Sequence, residues 1–124
     1  MPNENTKLKF GQVHGSLLPI TYHFSHSGPA NGLYDIALEA GEAALILAVV
    51  TKLVSGTCTI ELRINNVAVV YPGSATTIAV TSAKLTTAAV SSRQIGLGSH
   101  LQLIVSGGVS PVNLAITAHT TRNA

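Results

Sequence analysis

The strongest constraint on the fold of this chain is an alternation of apolar and polar residues with a period of two. It is clearest in residues 57–64, where the two kinds of side chain alternate without a fault. Cys58, Ile60, Leu62 and Ile64 form one set, and Thr57, Thr59, Glu61 and Arg63 form the other. Successive side chains of a strand point to opposite faces of a sheet, whereas a helix repeats about every 3.6 residues. The pattern therefore predicts a half-buried β-strand.

The same period recurs along most of the chain after residue 32. It predicts further strands over residues 33–38, 44–54, 67–71, 76–81, 100–105 and 112–119, while residues 82–92 fit either an edge strand or an ordered loop. Residues 44–54 are apolar on both faces, with Leu45, Leu47 and Val49 on one and Ile46, Ala48 and Val50 on the other. A strand of this kind is expected to be covered on both sides.

Gly, Pro and Asn residues separate these strands. A Ser-Gly pair at residues 55–56 predicts a hairpin, and two Asn residues at 65–66 predict a second tight turn because Asn tolerates positive φ. The strands around them form a predicted meander, and Gly107, Gly108 and Pro111 predict another hairpin. The chain is expected to be all-β, an antiparallel β-sandwich or jelly roll of about 7–8 strands.

The first 32 residues differ from the rest, because short apolar islands are interrupted by Gly and Pro. They could hold one or two strands, or form an extended arm that pairs by its main chain with another subunit. We assign residues 1–32 to an N-terminal arm or anchoring segment and residues 33–124 to the sandwich domain. The candidate interface and anchor residues are Leu8, Phe10, Val13, Leu17, Leu18, Ile20, Tyr22 and Phe24.

Composition excludes several classes of protein. The 124 residues suffice for one domain, and 46% hydrophobic with 10% charged residues favours a folded chain over a disordered one. The seven Lys and Arg residues are scattered, so no nucleic-acid partner is expected. The longest apolar run, residues 43–50, is far shorter than the roughly 20 residues that span a bilayer. We therefore expect no membrane partner, and we expect the chain to be synthesised in a cytoplasm.

The histidines are candidate metal ligands. His23 and His26 stand close to His14 in the sequence, and neutral imidazole binds zinc, copper or nickel. Residues three apart in a strand face opposite sides, and no acidic residue lies between Glu4 and Asp35. We expect surface or interface histidines and no metal or other cofactor, with a histidine-dependent metalloenzyme as an alternative.

Catalytic patterns are weak in this sequence. Asp35 and Glu39 would share one strand face roughly 13 Å apart, beyond the separations of about 5–9.5 Å used in glycoside hydrolysis. Cys58 belongs to the apolar set of its strand, and Gly96 and Gly98 lack the third glycine of a dinucleotide fingerprint. The chain is therefore expected not to be an enzyme.

One resemblance adds to this interpretation. Its residues are Gly32, Tyr34, Ile36 and Leu38; Ser55 and Gly56; Ile60, Leu62, Ile64, Asn65 and Asn66; Ile95, Gly98, Leu101, Leu103 and Val105; and Asn113, Leu114 and Ile116. In these residues the chain resembles the small β-sandwich subunits of tailed-bacteriophage virions, namely decoration, head-fibre and tail-fibre-associated proteins. The resemblance implies a homotrimer, an N-terminal arm that anchors to major capsid or tail proteins, and a virion location.

The sequence thus leads to two hypotheses of different classes. The first is a non-enzymatic virion structural protein, a capsid decoration or fibre subunit attached through its arm. The alternative is a carbohydrate-binding module that recognises a bacterial surface glycan through the polar loops at residues 72–76 and 107–111. Tyr22, Tyr34 and Tyr71 lie in apolar alternations, and we expect them to be buried rather than exposed as a sugar platform.

Overall fold

The fold is a sandwich of two antiparallel β-sheets. A computed structural model describes residues 21–122, and a 3-10 turn at Pro72–Ser74 is the one helical element in that range. Its ten strands are β1 (Thr21–His26), β2 (Gly32–Ala37), β3 (Ala44–Lys52), β4 (Ser55–Ile64), β5 (Val67–Ala68), β6 (Ile78–Val80), β7 (Leu85–Ala88), β8 (Gln94–Ile95), β9 (Leu101–Val112) and β10 (Leu114–Arg122).

The predicted all-β sandwich is confirmed, with more strands than predicted. β8 is two residues long, too short for an alternation to be recognised in the sequence, and the strand predicted over residues 67–71 is reduced to the two residues of β5. Within residues 21–122, no helix is long and apolar enough to cross a bilayer.

Strands that follow each other in the sequence mostly lie in different sheets. The first sheet has the order β1-β10-β3-β7, with β8 also paired to β3, and the second has the order β2-β9-β4-β5, with β6 also paired to β4. The predicted meander is therefore wrong in part, because β3 and β4 do not pair. Between them the Leu53 N–H donates to the Thr81 carbonyl and the Val54 N–H to the Val112 carbonyl, so the chain crosses between the sheets there.

The predicted turn at residues 65–66 is confirmed. Asn65 and Asn66 have φ values of 50° and 67°, and Ile64 lies opposite Val67 in the β4–β5 hairpin. Asn adopts these left-handed angles more readily than most other residues do.

The second predicted hairpin is wrong. Gly107, Gly108 and Pro111 lie inside β9, and the chain turns at Asn113, whose φ is 53°. β9 belongs to the second sheet and β10 to the first, so the two strands do not pair. The pairing of β4 with β9 shifts register around Thr57, because the glycines here support bulges rather than a turn.

A bulge in β3 changes the faces that the sequence predicts for this strand. His119 of β10 lies opposite Ala48, but Thr120 lies opposite Ile46, so Leu47 is an extra residue. The inward set is therefore Ala44, Ile46, Val49 and Thr51, which mixes the two predicted sets. The opposite face is only partly covered by the part of the chain that the structure describes, since Leu47 is 46% exposed and Leu45, Ala48 and Val50 are half-buried.

The core lies between the two sheets. Its largest fully buried side chains are Tyr71, Ile46, Leu53, Ile60, Leu62, Ile95, Leu101, Leu103, Leu114, Ile116, Val49 and Val69. Cys58, Ile60, Leu62 and Ile64 all belong to this core, as the alternation predicts. Tyr71 is fully buried, and Tyr22 and Tyr34 are partly buried against the core.

The sandwich includes residues that the sequence analysis placed in the arm. β1 pairs with β10 along its whole length, from Thr21 opposite His119 to His26 opposite Leu114. The edge strand of the first sheet is thus supplied by residues 21–26 of the same chain.

Candidate functional site: three surfaces of the sandwich

The two predicted anchor residues in the described range pack within their own chain. Tyr22 lies opposite Ala118 and Phe24 opposite Ile116, and both contact the core between the sheets. Their inward faces are therefore partly buried in the sandwich, and the anchor role of Tyr22 and Phe24 stays a prediction. Leu8, Phe10, Val13, Leu17, Leu18 and Ile20 lie outside the described residues.

An aromatic cluster closes the sandwich beside β1 and β2. The ring of Phe24 lies 5.5 Å from that of Tyr34 and 6.5 Å from that of His26, and the rings of His26 and Tyr34 are 5.3 Å apart. The Tyr34 hydroxyl donates to the Ala30 carbonyl at 2.6 Å, and the Gly28 N–H donates to His26 Nδ1 at 3.1 Å. These contacts fix the chain between β1 and β2.

The predicted metal ligands are not brought together. His23 faces outward, with Nδ1 3.1 Å from the Thr117 hydroxyl, whereas His26 belongs to the aromatic cluster on the other side of β1. Among residues 21–122, no three His, Cys, Asp or Glu side chains are grouped so that they could hold a metal ion. His14 lies outside this range.

A polar cluster occupies the outer face of the second sheet. It consists of Asp35 on β2, Glu61 and Arg63 on β4, Gln102 on β9, and His100, which precedes β9. His100 Nε2 lies 2.7 Å from Asp35 Oδ1, and the Arg63 guanidinium donates to the Glu61 carboxylate. The pairing of β2 and β4 with β9 brings these side chains together, since Gln102 lies opposite both Asp35 and Arg63. This cluster gives the second sheet a charged, hydrogen-bonding surface.

The hydrogen bonds around His100 do not assemble a hydrolytic site. A Ser-His-acid triad requires a hydroxyl in contact with the imidazole. The nearest serine in the sequence, Ser99, instead accepts hydrogen bonds from the Gly96 N–H at 2.9 Å and the Asn65 side-chain amide at 3.2 Å. Burial raises the pKa of the Cys58 thiol, which disfavours the nucleophilic thiolate at neutral pH. The described contacts form a hydrogen-bonded network rather than an activated nucleophile.

The outer face of the first sheet is chemically different. We call it the aliphatic face, and it carries Leu45, Leu47, Ala48 and Val50 of β3, Ala88 of β7 and Ala115 of β10. The register places Ala48 beside both His119 and Ala88, and Val50 beside both Thr117 and Thr86. Along the described strands of this face, Lys52 is the one side chain with a formal charge, and it lies at one end opposite Ala115. The centre of the face is aliphatic.

A groove opens at the opposite side from β1, between the free edges of the two sheets. We call it the Tyr71 groove. It has a volume of about 320 Å³, and its walls include Tyr71, Pro72, Thr77, Ile78, Leu85 and Thr87. The turn at Pro72–Ser74 lies at its side, where Gly73 and Ser74 adopt φ values of 79° and 62°. The loop at residues 72–76, a predicted sugar-binding loop, therefore borders a cavity, whereas residues 107–111, the other predicted loop, lie within β9.

A second depression of about 350 Å³ lies at the end of β1. It is lined by Ser25, His26, Ser27, Asn113, Leu114 and Ala115. The Asn113 N–H donates to the Ser27 carbonyl at 2.8 Å, so the main chain in its wall is already hydrogen-bonded.

Sequence reasoning missed the polar cluster and the groove. Asp35 and His100 are separated by 65 positions, and no local spacing indicates that β2 and β9 are neighbours. No protein-family model and no curated protein matches this sequence. The chemistry of the three surfaces is therefore what supports a function for the protein.

Proposed function

We propose that this protein is a non-enzymatic structural subunit of a bacteriophage virion, a capsid decoration or fibre protein that assembles as a homotrimer. The observation that carries the proposal is the aliphatic face. An antiparallel sheet that faces water ordinarily places polar side chains on its outer side, whereas here Leu47 is 46% exposed and the other outward residues of its strand before Lys52 are Leu45, Ala48 and Val50. Contiguous exposed apolar surface on a folded protein marks an interaction site.

The two outer faces suggest how the subunit is oriented. The second sheet carries the hydrogen-bonded pair Asp35–His100 and the ion pair Glu61–Arg63, which are compatible with water. The aliphatic face gains free energy when it is covered, at about 25 cal/mol per Å² of apolar surface. We therefore orient the aliphatic face toward neighbouring copies and the polar cluster toward solvent. Closed symmetry repeats each such contact, so many weak contacts stabilise the assembly.

The resemblance of residues 32–121 to virion proteins supports the location in a virion. In this proposal, the apolar residues before β1, from Leu8 to Ile20, attach the subunit to capsid or tail proteins. The proposal places the attachment before β1, because β1 pairs with β10 of the same chain.

The oligomeric state tests the contact surface. Sedimentation equilibrium of the full chain is expected to give three times the chain mass of 12.8 kDa. Leu47→Glu and Val50→Glu place a charge in the aliphatic face and should shift the protein to monomer. Leu97→Glu is the matched control, since Leu97 is 76% exposed and lies in the loop before β9 rather than on a strand of this face. A wild-type monomer at high concentration would contradict the proposal.

Attachment to particles tests the virion assignment. The chain should be found in purified phage particles at a fixed copy number by quantitative mass spectrometry. A variant that lacks residues 1–20 retains β1 and should keep the circular dichroism spectrum of the intact chain while it no longer attaches. Undiminished attachment of this variant would contradict the anchoring role. A variable trace amount of the intact chain in particles would contradict the virion assignment.

A further inference from the structure

The Tyr71 groove has the size and surface chemistry of a small ligand site. Its volume of about 320 Å³ lies at the lower end of the range for ligand pockets, about 300–1,000 Å³. Pro72, Ile78 and Leu85 provide aliphatic walls, while Tyr71, Thr77 and Thr87 are hydroxyl-bearing residues. No charged side chain is among its described lining residues. The groove therefore suits a neutral molecule that presents both C–H surface and oxygen atoms.

Tyr71 supplies a polar group without a partner. Its side chain is 1% exposed, and its hydroxyl has no hydrogen-bond partner among the residues that the structure describes. A buried polar group left unsatisfied costs about 1–3 kcal/mol. Burial, and after it the negative charge of Glu61, raises the pKa of this hydroxyl, so it stays protonated as a donor. A ligand oxygen that reached this hydroxyl from the groove would satisfy it.

We propose that the Tyr71 groove binds a neutral saccharide unit. The ring C–H groups of a sugar pack against Pro72, Ile78 and Leu85, and its oxygens take hydrogen bonds from Tyr71, Thr77 and Thr87. An aliphatic side chain of a protein partner would pack against the same walls but would leave the Tyr71 hydroxyl unpaired. This site is at the free edges of β6 and β7, and it is independent of the proposed assembly through the aliphatic face.

Titration by NMR tests this site with the full chain. The probes are the methyl glycosides of glucose, galactose and N-acetylglucosamine, each added to about 50 mM. At least one should shift the amide signals of residues 71–87 saturably, with a dissociation constant on the order of 1 mM for so small a contact. Tyr71→Phe and Thr87→Val should each weaken that binding at least fivefold. Thr86→Val is the matched control, because Thr86 is the neighbouring residue of β7 and faces the opposite side, beside Val50.

Several outcomes would overturn the site. They are the absence of saturable shifts with any of the three glycosides, unchanged affinity in both Tyr71→Phe and Thr87→Val, and binding of glucuronic acid in place of the neutral sugars. Shifts with hexanol but with none of the glycosides would assign the groove to an apolar partner instead. The Leu47→Glu variant should bind sugar as the wild type does, which separates this test from the test of assembly.

Discussion

Gly56 of β4 lies with its α-carbon directly against the backbone carbonyl of Ser110 in β9. A β-carbon at Gly56 would overlap that carbonyl and would stand 2.6 Å from the Val109 carbonyl oxygen, and the φ of Gly56 is 80°. Both groups are main chain and cannot rotate away. The Ser-Gly pair, which the sequence predicts as a hairpin turn, is therefore a site where two strands of one sheet approach closely.

Gly56→Ala is expected to lower the free energy of unfolding by about 2 kcal/mol, since it adds both a steric overlap and a left-handed φ. Urea denaturation followed by circular dichroism measures the change. Gly41→Ala is the matched control, because no atom lies within 4 Å of a β-carbon there. It should change the free energy by less than about 0.5 kcal/mol. Equal effects of the two substitutions would show that β4 and β9 are not in close contact at Gly56.

Ile46 and Leu47 are adjacent in the sequence but differ in burial because of the β3 bulge. Ile46→Ala should lower the free energy of unfolding by about 3 kcal/mol, as it leaves a cavity in the core. Leu47→Ala should change it by less than about 0.5 kcal/mol at protein concentrations where the chain is monomeric. Chemical denaturation of the two variants makes the comparison. A larger loss of stability for Leu47→Ala than for Ile46→Ala would mean that the bulge lies elsewhere in β3.

The turn between β4 and β5 allows a similar comparison. Asn65 Oδ1 accepts a hydrogen bond from the His100 N–H at 2.9 Å, whereas Asn66 is exposed at the tip of the turn. Both residues have positive φ, which Gly tolerates. Asn66→Gly should therefore be neutral within about 0.5 kcal/mol. Asn65→Gly should cost about 1–2 kcal/mol, because it loses this hydrogen bond and the one from the Asn65 amide to the Ser99 hydroxyl. Thermal unfolding checks this, and a larger loss for Asn66→Gly would contradict it.

Tyr71 predicts a loss of stability in alkaline solution. Its pKa in the folded chain is raised by burial, and further by Glu61, above the value of about 10 for an exposed tyrosine. Above about pH 10 the unfolded chain loses this proton while the folded chain retains it, so the free energy of unfolding falls as the pH rises, at most about 1.4 kcal/mol per pH unit. Denaturation curves between pH 8 and 11 measure the slope.

Tyr71→Phe should flatten that alkaline slope, because it removes the titrating group. At neutral pH the substitution should leave the free energy of unfolding unchanged or higher, since the hydroxyl has no partner in the described structure. An unaltered alkaline slope would assign the loss to other groups, such as the Cys58 thiol, whose pKa is also raised by burial. A strong loss of stability at neutral pH would show that the hydroxyl is hydrogen-bonded after all.

Strands with strict alternation could be recognised from the sequence, and those with interruptions could not. Residues 57–64 predict their own inward set because one face of β4 is buried throughout. In β3 the bulge at Leu47 shifts the alternation by one residue, and both faces are apolar, so the sequence contains no sign of the shift. Gly107 and Gly108 indicate an irregular backbone, yet a bulge and a turn need the same residue types.

The polar cluster and the Tyr71 groove depend on the pairing of strands that are far apart in the sequence. Asp35, Arg63 and Gln102 meet because β9 lies between β2 and β4, and the Tyr71 groove exists because β6 and β7 end their sheets side by side. Apart from the loop at residues 72–76, which the sequence marks as polar, no local pattern predicts these neighbours.

The sequence alone determined that this protein is an all-β sandwich and which face of its most regular strand, β4, is buried, because a two-residue period is a local property of the chain. The tertiary structure decided which strands pair, that residues 21–26 belong to the sandwich, and that an aliphatic face, a polar cluster and a groove remain on its surface. Strand pairing is decided by contacts between residues far apart in the sequence, and the free energy of those contacts is not encoded in any single segment.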